Sequence, residues 1–221
     1  KGLKIPSLGE ILKLPSTSPI RGMRDDSSPR VGLYLELKEP QYHNSLGQFE
    51  LSMEEILVNQ LIDFGIQVRG DAVRKGHIRT DCMPVILQSF YEGSLRELRR
   101  LTELPIVKLI APVTNQDNPF EEDTSPSGAH PRPILPDLER IAEYAQGVAF
   151  DKNLLLLSEY ENALAIMREL RSTTLAVHVY TSRQDVGVLK GFHDTAAAQG
   201  LWGDHRHAFI LEQSFLFCCL G

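Results

Sequence analysis

Several things are scarce in this 221-residue chain. Only three cysteines occur, Cys82, Cys218 and Cys219. An odd number with two adjacent does not make a disulfide framework, and without a Cys-x-x-Cys pair there is no zinc-knuckle spacing. Net charge is −6, from 23 basic and 29 acidic residues. A chain with that balance lacks the basic field that neutralises a phosphodiester backbone, so nucleic acid is not an expected partner. No apolar run reaches the roughly 18–20 residues that span a bilayer. No Gly-x-Gly-x-x-Gly turn follows a strand-like segment, which argues against a dinucleotide-binding fold.

What remains has an average globular composition, 42% hydrophobic and 24% charged. Such a chain buries a core without staples and forms one or two domains, of which one is the expectation. The first residue is Lys rather than Met. The two readings are a removed leader, which would make the protein secreted, periplasmic or organellar, and a start inside a longer protein. The apolar end, Phe215 to Gly221, either packs into a core or lies outside the ancestral fold.

The periodicity predicts elements in regular alternation. Residues 5–14 read as a helix, with Ser7 and Glu10 spaced as a capping box. Residues 31–38 read as a strand that Pro40 stops. Residues 52–64 make a helix with Ser52 as cap, Glu55 at the box position and Gly65 past its end. Strands are expected at 84–90, 106–110, 147–150 and 175–180. Helices are expected at 94–101, 137–144 (capped by Asp137), 159–170 and 184–192. A Pro-rich irregular segment covers 111–136. Strand–helix alternation with apolar strands argues for parallel βαβ units of the α/β class. Two architectures fit, an open doubly wound sheet and a (β/α)₈ TIM barrel.

In both, chemistry sits at the carboxyl ends of the strands. The strand at 31–38 ends in Glu36 and Lys38, two residues apart and so on one face. Opposite charges ending an apolar strand are costly unless paired or bound to something. The carboxylate suits a hard cation, Mg²⁺ or Ca²⁺, and the ammonium suits a phosphate oxygen. The alternative is a structural ion pair between the two. His178 and Tyr180 share a face of the last strand, where a packed core pair is the alternative role. Gln88 either donates into a barrel centre or packs. Glu121, Glu122 and Asp123 form an acidic loop cluster, read mainly as solvated. His43, His193, His205 and His207 show no convincing ligand pattern.

These segments resemble one family. Leu35-Glu36-Leu37-Lys38-Glu39-Pro40 is similar to the glutamate-hydrophobic-lysine strand of glycerophosphodiester phosphodiesterases. Ile5 to Leu12 resembles the helix that precedes it. Val85-Ile86-Leu87-Gln88-Ser89-Phe90 resembles the family's V-I-x-Q-S-F strand. Tyr144 to Lys152 resembles Y-A-D-G-I-G-P-D-K, and Val177 to Thr181 resembles V-H-x-Y-T. Tyr42-His43-Asn44 and the insertion at 111–136 resemble the longer periplasmic-type and plant-type branch. The likeness runs over residues 3–183.

The resemblance implies a TIM barrel that hydrolyses glycerophosphodiesters to an alcohol and glycerol 3-phosphate, in lipid and glycerol metabolism, with a divalent metal. It implies Glu36 as a metal ligand, Lys38 as a phosphate contact, and substrate-lining roles for Gln88, His178 and Tyr180. The family's His-Arg-Gly strand, Glu-x-Asp strand and His-Asp pair precede the matching region and have no counterpart here. The acid–base histidines are therefore unassigned, and a partial, incomplete barrel with weak activity is expected. The family's last strand, G-x-x-T-D-F-P, has only a faint echo in Gly200 to Asp204, so 184–221 reads as a divergent tail. A non-catalytic isoform or pseudoenzyme that binds phosphodiesters or a protein stays open, as does an unrelated (β/α)₈ enzyme acting on a sugar phosphate.

Overall fold

Short apolar segments flanked by turn residues become strands here, and the amphipathic segments between them become helices. The computed structural model describes residues 4–17, 32–70, 84–111, 136–152 and 168–181. The expected helix at 184–192, most of that at 159–170, the acidic loop cluster, all three cysteines, His193, His205, His207 and the apolar tail lie outside them. In chain order the elements are α1 (Leu8–Thr17), β1 (Leu33–Glu36), α2 (Pro40–Ser45), α3 (Met53–Asp63), β2 (Val85–Ser89), α4 (Glu92–Leu101), β3 (Ile106–Ile110), α5 (Leu138–Ala142), β4 (Gly147–Asp151) and β5 (Ala176–Tyr180). Residues 168–172 are also helical. The chain divides into two compact units, one of residues 1–109 and 144–146, the other of 110–143 and 147–221.

In the first unit, β1 pairs with β2 and β2 with β3, both parallel. Leu33 to Glu36 stand in register with Val85 to Gln88. Leu87 faces Ile106 and Ser89 faces Lys108. The start of β1 depends on a glycine. A Cβ on Gly32 would stand 2.7 Å from the Pro84 ring and 2.9 Å from its carbonyl oxygen, the oxygen that accepts the Leu33 N–H at 2.8 Å. Only a residue without Cβ lets the strands meet that closely.

The caps expected from sequence form. The Ser7 N–H donates to Glu10 Oε2 at 2.7 Å and the Glu10 N–H to Ser7 Oγ at 3.3 Å. Ser52 and Glu55 make the same reciprocal pair, at 2.8 and 3.2 Å. These bonds hold the Glu10 and Glu55 carboxyls below their ordinary range. At the far end of α3, Gly65 has φ +86°. Its N–H reaches Ile62 O at 2.8 Å, and that of Ile66 reaches Leu61 O at 2.9 Å, the Schellman closure of a helix end.

The apolar faces of α3 and α4 supply the core of this unit. Leu61, Leu87, Leu95, Leu98 and Ile106 are fully buried. Arg99 ties α4 to the turn before β4. Its guanidinium donates to Tyr144 O at 2.9 Å, Leu104 O at 3.2 Å and the Gln146 side chain, and Gln146 Oε1 in turn accepts the Ile106 N–H at 3.0 Å. Burial pulls the Arg99 guanidinium below its ordinary value, and the Glu103 carboxylate opposes that shift. Arg96 lies 4.7 Å from the Tyr144 ring centroid.

In the second unit, β4 and β5 pair parallel from Gly147↔Ala176 to Asp151↔Tyr180. Gly147 through Phe150 are all buried, as expected of a parallel strand covered on both faces. Asp137 caps α5, accepting the Arg140 N–H at 2.9 Å. Every pairing described within the units is parallel, as α/β architecture requires.

Three elements depart from expectation. α1 runs over Leu8–Thr17, later than 5–14. α4 begins at Glu92, so Ser94 is a buried residue of its first turn rather than its start. The third, α2, was unforeseen: β1 is only Leu33–Glu36, shorter than 31–38 and ended before Pro40, and Pro40 serves as the first residue of a helix, where its missing N–H costs nothing.

Candidate functional site

The carboxyl end of β1 brings together most of the chemistry in the first unit. Glu36 is the last residue of the strand, half-buried, and stands in register with Gln88 on β2. The two point the same way, because paired residues of parallel strands share a face. Among the described residues, neither side chain has a hydrogen-bonding or ionic partner. Lys38 lies beyond the strand and is exposed. The one-face placement expected for Glu36 and Lys38 therefore does not extend along a continuous strand. The backbone leaves extended geometry at Glu39, which takes the left-handed conformation at φ 50° and ψ 43°. No ion pair joins Glu36 to Lys38 among the described residues.

The turn between them and α2 is fixed from β2. The Leu37 N–H donates to Gln88 O at 3.0 Å. The Ser89 hydroxyl, fully buried, donates to Leu37 O at 2.8 Å. Ser89 Oγ also accepts the Tyr91 N–H at 3.3 Å. The Tyr91 hydroxyl then donates to Glu39 Oε2 at 2.9 Å. On β3, the Lys108 ammonium donates to Phe90 O. Leu37 is thus held by both backbone groups and Glu39 by its carboxylate, which leaves Lys38 between two anchored neighbours.

Sequence reasoning missed Ser89, Tyr91, Glu39 and Lys108. A cation inside the apolar run Ile106-Val107-Lys108-Leu109-Ile110 is a signal that was there to be read. Nothing in the sequence marks Glu39 for positive φ, a region non-glycine residues seldom occupy. Tyr34, two residues before Glu36 on the same strand, is 43% exposed, and partial burial pushes its phenol up to about 12.

The other candidates are spread more widely. His43 lies on α2, exposed, with its ring edge-on to Tyr42 at 5.4 Å between centroids. In the second unit, His178 and Tyr180 occupy the end of β5, both half-buried. Tyr180 stands in register with Asp151, and His178 with Ala149. The Tyr180 hydroxyl donates to Ile110 O at 2.7 Å. Lys152, just past β4, is buried and was also missed.

As a donor set for a hard cation, the first unit offers the Glu36 carboxylate and the Gln88 amide oxygen. Both are the right chemistry, yet they fall short of the roughly six to eight oxygens such ions gather. Among the described residues no three His, Cys, Asp or Glu side chains cluster as a metal site. Nor, among them, is any helix long and apolar enough to cross a membrane.

The chain is similar to a known enzyme. It is 24% identical over 189 residues to a glycerophosphodiester phosphodiesterase of Treponema pallidum. The match takes in 75% of this chain and 46% of the relative, so the chain spans about half of that protein's length. No protein-family model matches the chain.

Proposed function

We propose that this protein is a metal-dependent hydrolase of glycerophosphodiesters with the TIM-barrel architecture, acting in lipid and glycerol metabolism. One observation carries the reading: a half-buried carboxylate and an exposed ammonium, Glu36 and Lys38, stand at the carboxyl end of an apolar parallel strand. The similarity to a glycerophosphodiester phosphodiesterase supplies the substrate class.

In this reading Glu36 and Gln88 are the residues that would hold a Mg²⁺ or Ca²⁺ ion, through a carboxylate and an amide oxygen. The ion, when bound, supplies Lewis-acid stabilisation of a non-bridging phosphoryl oxygen. Lys38 holds a second phosphoryl oxygen as a point charge. Water attacks phosphorus, the P–O bond to the alcohol breaks, and the proton released by water ends on the departing alkoxide. Products are the free alcohol and glycerol 3-phosphate. On β5, His178 and Tyr180 are the proposed substrate contacts of the second unit. With its hydroxyl committed to Ile110 O, Tyr180 offers its ring and oxygen lone pairs rather than a proton.

Incubating the complete protein with glycerophosphocholine, with Mg²⁺ or Ca²⁺ and then with excess chelator, tests this. Release of choline and glycerol 3-phosphate that stops on chelation is the expected result. A Lys38→Ala variant is expected to raise KM more than it lowers kcat, since a phosphate contact made in the ground state is lost. No turnover with either ion, or turnover indifferent to chelator, removes the reading.

A further inference from the structure

The segment Leu37-Lys38-Glu39 is held more firmly than an exposed turn needs to be. Leu37 uses both backbone groups on β2, through Gln88 O at 3.0 Å and Ser89 Oγ at 2.8 Å. Glu39 sits in the left-handed region at φ 50°, which is strained for a non-glycine residue. Its carboxylate is tethered by the Tyr91 hydroxyl at 2.9 Å, and Tyr91 is buried and braced by its own N–H on Ser89 Oγ. A single chain of bonds therefore runs from Leu37 O through Ser89 and Tyr91 to Glu39 and encloses Lys38. Pro40, buried, fixes the backbone on the far side. The one exposed, uncommitted side chain inside this frame is the Lys38 ammonium.

We infer that Tyr91, acting through Glu39, is a positioning residue for Lys38: the hydroxyl–carboxylate bond holds the turn in the one backbone conformation that presents the ammonium to a phosphate group. A lysine has four rotatable side-chain bonds and loses rotamer freedom when it binds. Anchoring its backbone on both sides removes the main-chain share of that loss before the anion arrives. Tyr91 touches neither phosphate nor cation in this scheme. The inference rests on the reading of Lys38 as a phosphate contact.

A double-mutant cycle separates positioning from general support. The probe is sn-glycerol 3-phosphate, titrated into the full chain with Mg²⁺ present, and affinity is followed by calorimetry with thermal unfolding recorded for every variant. Lys38→Ala is expected to weaken binding strongly. Tyr91→Phe keeps the buried ring and removes only the hydroxyl, and is expected to weaken binding about three- to tenfold, the range of one hydrogen bond. Glu39→Gly removes the acceptor from the other side and is expected to match Tyr91→Phe. Glu39→Gln keeps a side-chain carbonyl for Tyr91 and is expected to restore affinity to within about twofold of the parent, the partial loss of a charged acceptor. In a Lys38→Ala background, Tyr91→Phe should have no further effect.

If Lys38→Ala weakens binding while Tyr91→Phe leaves affinity unchanged, or weakens it equally with and without Lys38, the positioning role is overturned and the phosphate contact stands. If Lys38→Ala does not alter binding, or the parent chain does not bind the probe, the phosphate contact itself fails, and the positioning role fails with it.

Discussion

Two carboxylates and a phenol give the residue scale its clearest titrations. Glu55 is lowered chiefly by the Ser52 N–H and then by the Ser52 hydroxyl, both donating to it. A carboxyl lowered on folding adds stability above its unfolded pKa and loses it as pH falls through the folded value. A Glu55→Gln variant, which keeps the acceptor and removes the charge, should melt below the parent at pH 7 and converge with it in acid, once pH has fallen through the lowered folded value. Melting curves that stay apart in acid would contradict this. Tyr34 has the opposite sign. Burial raises its phenol to about 12, so the folded state keeps a proton that the unfolded chain releases near its ordinary value of 10.0. Stability is therefore intact below pH 10 and declines between about pH 10 and 12. Phenolate absorbance of the parent minus that of Tyr34→Phe should show one tyrosine titrating near 12; a midpoint near 10 would contradict it. The strand positions of Glu36 and Gln88 were legible from sequence, because each closes or lies in an apolar run, and the two stand in register. The Ser89–Tyr91–Glu39 chain was not legible, because Glu39 lies 52 positions of sequence from the Tyr91 that holds it and only the parallel pairing of β1 with β2 brings them together.

At the scale of elements, local signals located what local physics determines. The capping boxes of α1 and α3, the Asp137 cap of α5 and the Gly65 stop each formed as the spacing predicts. Ser52→Ala should cost α3 about 1 kcal/mol, read as a lowered denaturation midpoint with unchanged cooperativity. An unchanged midpoint would show that packing alone holds that end. Errors fell where tertiary context decides. Pro40 carries the same signal whether it ends a strand or opens a helix; β1 ends at Glu36 and Pro40 opens α2. The helix expected from Ser94 starts at Glu92, with Tyr91 at the cap position and Ser94 buried within it. Leu95 lies on the apolar stripe of α4 and is fully buried. Leu95→Ala is expected to cost about 2–5 kcal/mol through lost burial and a residual cavity, measured by urea unfolding. A loss under about 1 kcal/mol would mean that the packing around α4 relaxes into the space.

For the whole molecule, alternation of strand and helix was enough to give the α/β class, and the parallel pairings within both units follow it. Parallel strands align their carboxyl ends, and this alignment brings Glu36 beside Gln88, and Asp151 beside Tyr180, without any sequence proximity. The match to a glycerophosphodiester phosphodiesterase of Treponema pallidum spans 46% of that protein, so activity is best measured on the complete protein. The decisive measurement is the rate of Mg²⁺- or Ca²⁺-dependent glycerol 3-phosphate release from glycerophosphocholine by the complete protein and by its Glu36→Gln variant, both verified as folded. Removing one preorganised group that stabilises transition-state charge typically costs about 10²–10³-fold, and a loss of that size is predicted for Glu36→Gln. A variant that turns over as fast as the parent would contradict the account.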